Sequence, residues 1–329
     1  MIGRASPALV AVALLSGCAT ERLDGVNLLQ SREVSFTQPQ TFQSLRAARD
    51  LGANTVAIVT FLEQAAPESI QVRKSHAVSD AQLGSAIRAA RRGGLKVFVK
   101  PQLLVGDGWA GSIDPGDDAG WRVWFDAYRT HLFELARLAE REEADGFVVG
   151  TELRLAAARE EWIDVIAQVR NIFSGTLTYA AHGIEGLNEF RHWHLLDLAG
   201  VTLYPSLGDN PDRSAMQAHI DLAAAQLKVA ANHIGKPVWI SEVGIQSRRG
   251  AQSEPWEWRH VDASSSADAN LQATVIDLWL EALEGDWNHG VMLWAWSNDP
   301  QAGGPDDRDY LLQNKPVERI MMCHWRNRC

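Results

Sequence analysis

The chain has 329 residues, 46% of them apolar and 22% charged, a balance that excludes a disordered protein and suits one large domain or two ordinary ones. Its 31 basic and 41 acidic residues leave a net charge of -10, which argues against a nucleic-acid partner, because neutralising phosphates needs a basic face. The composition is unusual in holding 13 Trp against 4 Tyr; indole faces fill cores, and they also stack on the apolar faces of sugar rings.

The chain opens with an address. Arg4 precedes an apolar run from Ala5 to Leu15, interrupted by Ser6 and Pro7 and followed by Ser16-Gly17-Cys18. Such a run is too short to cross a bilayer as a stable helix and fits the apolar centre of a secretory signal. Leu15-Ser16-Gly17-Cys18 resembles the bacterial lipobox. That resemblance implies cleavage before Cys18 and lipidation of its thiol; a plain signal peptide cleaved nearby is the alternative. Ala19 is not the Asp of an inner-membrane retention signal, so the expected location is the outer membrane of a bacterial envelope. The expected organisation is a signal over 1–17, a tether over 18–24, a barrel over 25–322 and a short tail over 323–329.

The remaining body alternates short apolar strands with amphipathic helices. Strands are predicted at Gly25–Leu29, Asn54–Thr60, Leu95–Lys100, Gly146–Gly150, Thr176–Ala180, Ala199–Tyr204, Pro237–Glu242 and Gly290–Trp296. Continuous runs such as Val56-Ala57-Ile58-Val59 suit parallel strands buried on both faces. Between them fall helices at Ala81–Arg92, Trp121–Arg141, Trp162–Phe173, Leu222–Ile234 and Leu271–Leu283. The second of these puts Trp121, Trp124, Tyr128, Leu132, Leu135 and Leu138 on one stripe. The pattern is that of an α/β protein, a single (β/α)8 TIM barrel. A doubly wound sheet would place a glycine-rich phosphate turn after its first strand, and Gly25-Val26-Asn27-Leu28-Leu29 leads into none.

Chemistry in a barrel gathers at the C-terminal ends of its strands. The fourth strand delivers Glu152 there and the seventh delivers Glu242. Hydrolysis of a glycosidic bond needs such a pair: one carboxyl protonated to give its proton to the leaving oxygen, the other ionised to attack or to activate water. Neighbouring carboxyls push their pKa values apart, so both roles are available at one pH. Tyr204, on the neighbouring strand, is expected within hydrogen-bond reach of Glu242. Trp294 or Trp296 is expected to form a sugar platform. Lys100 either pairs with a cleft carboxylate or contacts substrate, and Pro101 after it fixes an extended exit. Trp256, in a long polar loop after strand seven, is read as a subsite wall or as a pin for that loop.

The chain resembles a clan A retaining glycoside hydrolase, and most of all family 113, whose members are β-1,4-mannanases. The resemblance runs from about Gly25 to Pro316. Its carriers are Asn54-Thr55-Val56-Ala57, Lys100-Pro101, Trp121 with Trp124-Phe125 and Tyr128, Gly150-Thr151-Glu152-Leu153, Tyr179-Ala180-Ala181, Tyr204-Pro205, Ser241-Glu242-Val243-Gly244, Pro255-Trp256, Trp294-Ala295-Trp296 and Lys315-Pro316. It implies Glu152 as general acid/base, Glu242 as nucleophile, a β-linked polysaccharide as substrate and no cofactor. Thr151 stands where many clan A enzymes carry Asn, as it does in family 113. His182 stands where the family usually has Asn after Ala-Ala, and an imidazole there reads a different hydroxyl, an amine or an acidic substituent.

Lys100, His182, Tyr204, Trp256, Trp294 and Trp296 are therefore the expected substrate-binding residues. The alternative to hydrolysis is a glycan-binding or transglycosylating envelope lipoprotein. The protein is expected to be a monomer that meets the membrane through its lipid only. His192-Trp193-His194 is not read as a metal site, because residues two apart on a helix face apart. Cys323 and Cys329, both in the last seven residues, are read as a small disulfide in an exported protein, with free thiols or a zinc site as alternatives. The acidic stretch Asn298–Asp309 is expected to be a mobile, solvated loop.

Overall fold

The computed structural model describes residues 21–106, 108–258, 265–326 and 328–329. The lipobox with Cys18 lies outside the described residues. In chain order the elements are β1 (Gly25–Leu29), α1 (Pro39–Asp50), β2 (Thr55–Gln64), β3 (Arg73–Lys74), α2 (Asp80–Arg92), β4 (Lys96–Val105), α3 (Asp118–Arg141), β5 (Gly146–Thr151), α4 (Glu161–Ile172), β6 (Thr176–His182), α5 (Gly183–Glu189), β7 (Leu198–Leu203), α6 (Arg213–Ile234), β8 (Val238–Val243), α7 (Ala269–Ala282), β9 (Asn288–Ser297) and α8 (Val317–Arg326).

Parallel pairing runs β1-β9-β8-β7-β6-β5-β4-β2, and β1 also pairs with β2, so the sheet closes on itself. The short β3 adds antiparallel to the outside of β2. This is the (β/α)8 barrel expected from the strand spacing. Val56, Ala57, Ile58 and Val59 are all fully buried, as a strand covered on both faces requires. Where helices start and stop follows local chemistry. Ser79 caps α2 by accepting from Gln82 N, and the Gln82 side chain accepts from Ser79 N in return. The left-handed Gly235, with φ 72°, ends α6.

Two apolar layers result. Inside the barrel, Leu23, Ala57, Phe98, Val148, Ala180, Leu198, Trp239 and Met292 form a plug, with the Phe98 and Trp239 rings 4.8 Å apart. Between sheet and helices lies the larger core. There Trp121, Trp124, Phe125 and Tyr128 of α3 meet Trp162 and Tyr179 through a run of ring contacts. Most of the tryptophan excess is spent in this layer.

Strand alternation carries the inner face upward from the plug. Residues two apart share a face, so Lys100 and Gln102 stand above Phe98, His182 above Ala180, and Thr202 above Leu198. Two strands break that rule. Three steps of β5 (Val148 to Thr151) oppose two of β6, and two steps of β8 (Ile240 to Glu242) oppose one of β7. An extra residue in one strand re-aims everything beyond it, and both irregularities fall just before a strand-end glutamate.

Cys323 and Cys329 are joined as a disulfide, so the expected tail over 323–329 begins inside α8 rather than after it. The loop after β9 is exposed along much of its length, as its composition suggests, but it is tied down. The buried Lys315 ammonium donates to Asp307 Oδ1 at 2.6 Å and Ser247 Oγ at 2.7 Å, tying that loop to the one after β8. Among the described residues no helix is long and apolar enough to cross a membrane.

Candidate active site

Glu242 is 4% exposed and ringed by donors. Its Oε1 accepts from Lys100 Nζ at 2.5 Å and from Gln102 Nε2 at 2.7 Å, and its Oε2 accepts from the Tyr204 hydroxyl at 2.9 Å. The Tyr204 bond is the one anticipated from the neighbouring strand. Lys100 is fully buried and also donates to Asn27 Oδ1 and the Ser241 carbonyl, both at 3.0 Å. Asn27 is fixed in turn by donating to the carbonyls of Ser241 and Leu293. Of the two readings of Lys100, the structure selects pairing with a cleft carboxylate. Its three acceptors leave no donor for a sugar, so it is corrected from a substrate contact to a support beneath Glu242.

Burial pushes the Glu242 carboxyl above the usual range; the Lys100 ammonium opposes that, and the Glu152 charge adds to it. Burial likewise lowers the Lys100 ammonium, against the pull of Glu242. The Tyr204 hydroxyl is held well above its ordinary value by burial and by the Glu242 charge, so it remains a donor.

Glu152 stands on the other side of the mouth with a separate set of partners. Its Oε1 accepts from Thr202 Oγ1 at 2.5 Å and lies 3.2 Å from His182 Nδ1, while its Oε2 accepts from Trp109 Nε1 at 3.1 Å. Burial acts to raise this carboxyl, but the His182 hydrogen bond and charge, with Thr202 and Trp109, outweigh it and the pKa falls below the ordinary value. The backbone of Glu152 is left-handed, with φ 57°. That conformation costs a residue with a Cβ about 1–2 kcal/mol, and such outliers collect at functional sites. The Trp109 ring meets His182 edge-on at 4.5 Å, and a Cβ on Gly111 would stand 2.1 Å from that indole, so only glycine permits the arrangement.

The other expected residues divide. Trp294 is half-buried, with its ring 5.8 Å from Lys100 Nζ, beside the Glu242 pocket. Trp296 is corrected: it is buried and donates to Ser44 Oγ of α1 at 2.8 Å, facing the helix layer. Its reversal follows from pairing, since Val26 to Leu28 of β1 opposes Leu293 to Trp296 of β9, one residue too many for Trp294 and Trp296 to share a face. Trp256 is 48% exposed on the loop after β8. Tyr310 anchors that loop, its hydroxyl donating to the Pro255 carbonyl at 2.6 Å and its ring set edge-on to Tyr204. His192 packs on Phe190 with Nε2 3.0 Å from the Arg159 carbonyl, away from the cleft.

Four residues escaped the sequence reading: Asn27, Gln102, Trp109 and Thr202. Gln102 and Thr202 share faces with Lys100 and Tyr204 two residues away, so strand alternation carried a signal for both. Trp109 sits in an irregular loop where periodicity says nothing.

Two carboxyls at the C-terminal mouth of a (β/α)8 barrel, each with its own donors, are the groups that hydrolysis of a glycosidic bond requires. The sequence profile of Glycoside Hydrolase Family 113 matches residues 28–315. The chain belongs to Glycoside Hydrolase Family 113. A solved family 113 β-1,4-mannanase complex is similar to it at 26% identity, covering 94% of this chain and 100% of that one with a TM-score of 0.82. The family 113 β-mannanase of Alicyclobacillus acidocaldarius in complex with ManMIm is 25% identical over 93% of this chain and 98% of its own, again with a TM-score of 0.82. A family 5 mannosidase from Rhizomucor miehei, 12% identical with a TM-score of 0.63, shares the fold. No curated protein sequence matches the chain. As a family 113 member the protein is a glycoside hydrolase, and its substrate is an oligosaccharide or polysaccharide.

Proposed function

We propose that this family 113 protein cleaves a β-linked, mannan-like polysaccharide with retention, through a covalent glycosyl-enzyme. Glu152 protonates the leaving oxygen while Glu242 attacks the anomeric carbon; Glu152 then takes a proton from water, whose oxygen displaces Glu242. The supporting observation is the division of donors. Glu242 has an ammonium, an amide and a phenol aimed at its two oxygens, donors that favour its ionised form against the effect of burial. Glu152 is more exposed, and its oxygens meet an imidazole, a hydroxyl and an indole but no ammonium. Trp294, beside the nucleophile, is placed to floor the sugar site, and Trp256 to extend it along the rim.

The test is the stereochemistry of the first product. Proton NMR of β-manno-oligosaccharide cleavage should show the β-anomer before mutarotation, and Glu242→Gln should abolish turnover. An α-anomer first, or a Glu242→Gln variant near wild-type activity, refutes the assignment. Export and anchoring through Cys18 belong to the same proposal. Labelled palmitate should enter the full-length protein and be lost in Cys18→Ala; an unlabelled wild-type protein ends that part of it.

A further inference from the structure

His182 stands at the end of β6 in direct contact with one of the two carboxyls. Its Nδ1 lies 3.2 Å from Glu152 Oε1, and the edge-on contact with the Trp109 ring fixes its plane. Trp109 also donates to Glu152 Oε2, so one indole holds both members in place. We propose that His182 is a positioning residue for Glu152: its Nδ1, with the ring set by Trp109, engages one carboxyl oxygen and sets how readily the acid/base gives up its proton. This rests on the assignment of Glu152 as acid/base.

Among the described residues the groups facing the pair are few. Thr202 Oγ1 donates to Glu152 from β7 and does not titrate. Glu242 of β8 and Lys100 of β4 interact with Glu152 through their charges and largely answer one another. Tyr204 and Tyr179 are kept protonated by burial. Beyond Glu152 in the chain, Arg154 faces Glu189 at 3.8 Å. Beyond His182, Glu185 of α5 folds back toward Gly183, its Oε2 3.2 Å from where a Cβ there would stand. Among the described residues, His182 is thus the titratable group hydrogen-bonded to Glu152.

The chemistry fixes the sign. In the first step the proton leaves Glu152 for the glycosidic oxygen, the bond from that oxygen to the anomeric carbon breaks, and Glu242 forms the new bond. Glu152 is left as a carboxylate, which a charged His182 stabilises. The same charge makes the free-enzyme acid give up its proton at lower pH, and this agrees with the lowered Glu152 carboxyl. The alkaline fall of kcat/KM, which follows loss of the acid's proton in the free enzyme, should therefore lie at low pH. Asn at 182 keeps a donor and removes the charge.

The experiment compares wild type with His182→Asn. In one arm, kcat/KM on β-manno-oligosaccharides is measured against pH. The variant should show its alkaline limb moved to higher pH, raising its activity ratio between about pH 7 and about pH 5 by up to about tenfold, as for a shift of about one pH unit. In the other arm, carbon-13 NMR follows the Glu152 carboxyl without substrate, assigned by its loss in Glu152→Gln, and its midpoint should rise in the variant. Unchanged midpoints in both arms overturn the proposal. A wild type that turns over no glycan counts against the glycosidase reading, and the NMR arm still decides the pairing. If His182→Asn does not fold, His182→Gln supplies the neutral donor in its place.

Discussion

Lys100→Met isolates the support beneath the nucleophile. Methionine has nearly the lysine stem's length and fills the same buried channel, so the loss is the ammonium and its bonds to Glu242, Asn27 and Ser241. Removing one partner of a buried ion pair costs about 3–5 kcal/mol when the other charge stays in place. Glu242 has a way out, because it can take up a proton. Its carboxyl is already raised by burial, with Lys100 the leading opposing influence, so the variant raises it further. A group whose folded pKa exceeds its unfolded one stabilises the fold below the unfolded value and loses that contribution as pH rises through the folded one. The destabilisation should thus be small in acid and approach about 3 kcal/mol toward neutral and alkaline pH. Activity reads the same event: Glu242 must be ionised to attack, so the acidic limb of kcat/KM should move to higher pH, and kcat should fall by about 10²–10³ for about 3–4 kcal/mol of lost charge stabilisation. Urea unfolding at several pH values, paired with pH–rate profiles on a β-manno-oligosaccharide, measures both. An acidic limb that stays in place with kcat within about threefold of wild type would refute a charged Lys100 supporting Glu242.

Trp294→Ala and Trp296→Phe should separate cleanly. The first should reduce kcat/KM by about tenfold or more with a modest change in unfolding midpoint; the second should leave kinetics alone and cost about 1 kcal/mol through the lost bond to Ser44. Lys315→Met should destabilise by about 3 kcal/mol by leaving Asp307 without its partner, and should raise amide exchange over the loops after β8 and β9; unchanged exchange there refutes the clamp.

The barrel was legible because its strands are short, continuously apolar runs set off by glycine and charge, and such runs have few other ways to be buried. Helix α1 was not, since Pro39–Asp50 carries only a thin apolar stripe, and α8 was not anticipated either, lying across the end of the expected barrel and the start of the expected tail at Cys323. Both carboxylates were legible as strand ends. Their orientation was not: counting by twos from Trp239 selects Ser241 for the interior and turns Glu242 away, and it is the extra residue in β8 that brings Glu242 in. The same parity argument misplaces Trp296. Lys100 was found, but its partner was left open between a cleft carboxylate and substrate, because a sequence shows that a lysine ends a strand and not that Asn27, Ser241 and Glu242 close over it. Trp109 was invisible for a different reason: it acts from a loop held by Gly111, where neither spacing nor alternation marks it.

The left-handed backbone at Glu152 sets an evolutionary bias. Glycine takes φ 57° without the penalty that a Cβ incurs, so Glu152→Gly would relieve local strain while removing the acid/base. A lineage of this fold can therefore lose hydrolysis by one substitution that selection for folding would not oppose, leaving a stable barrel with an intact sugar cleft. Retention of glutamate at a position where the backbone favours glycine is a mark of use rather than of architecture, and it places the route from enzyme to glycan receptor one codon away.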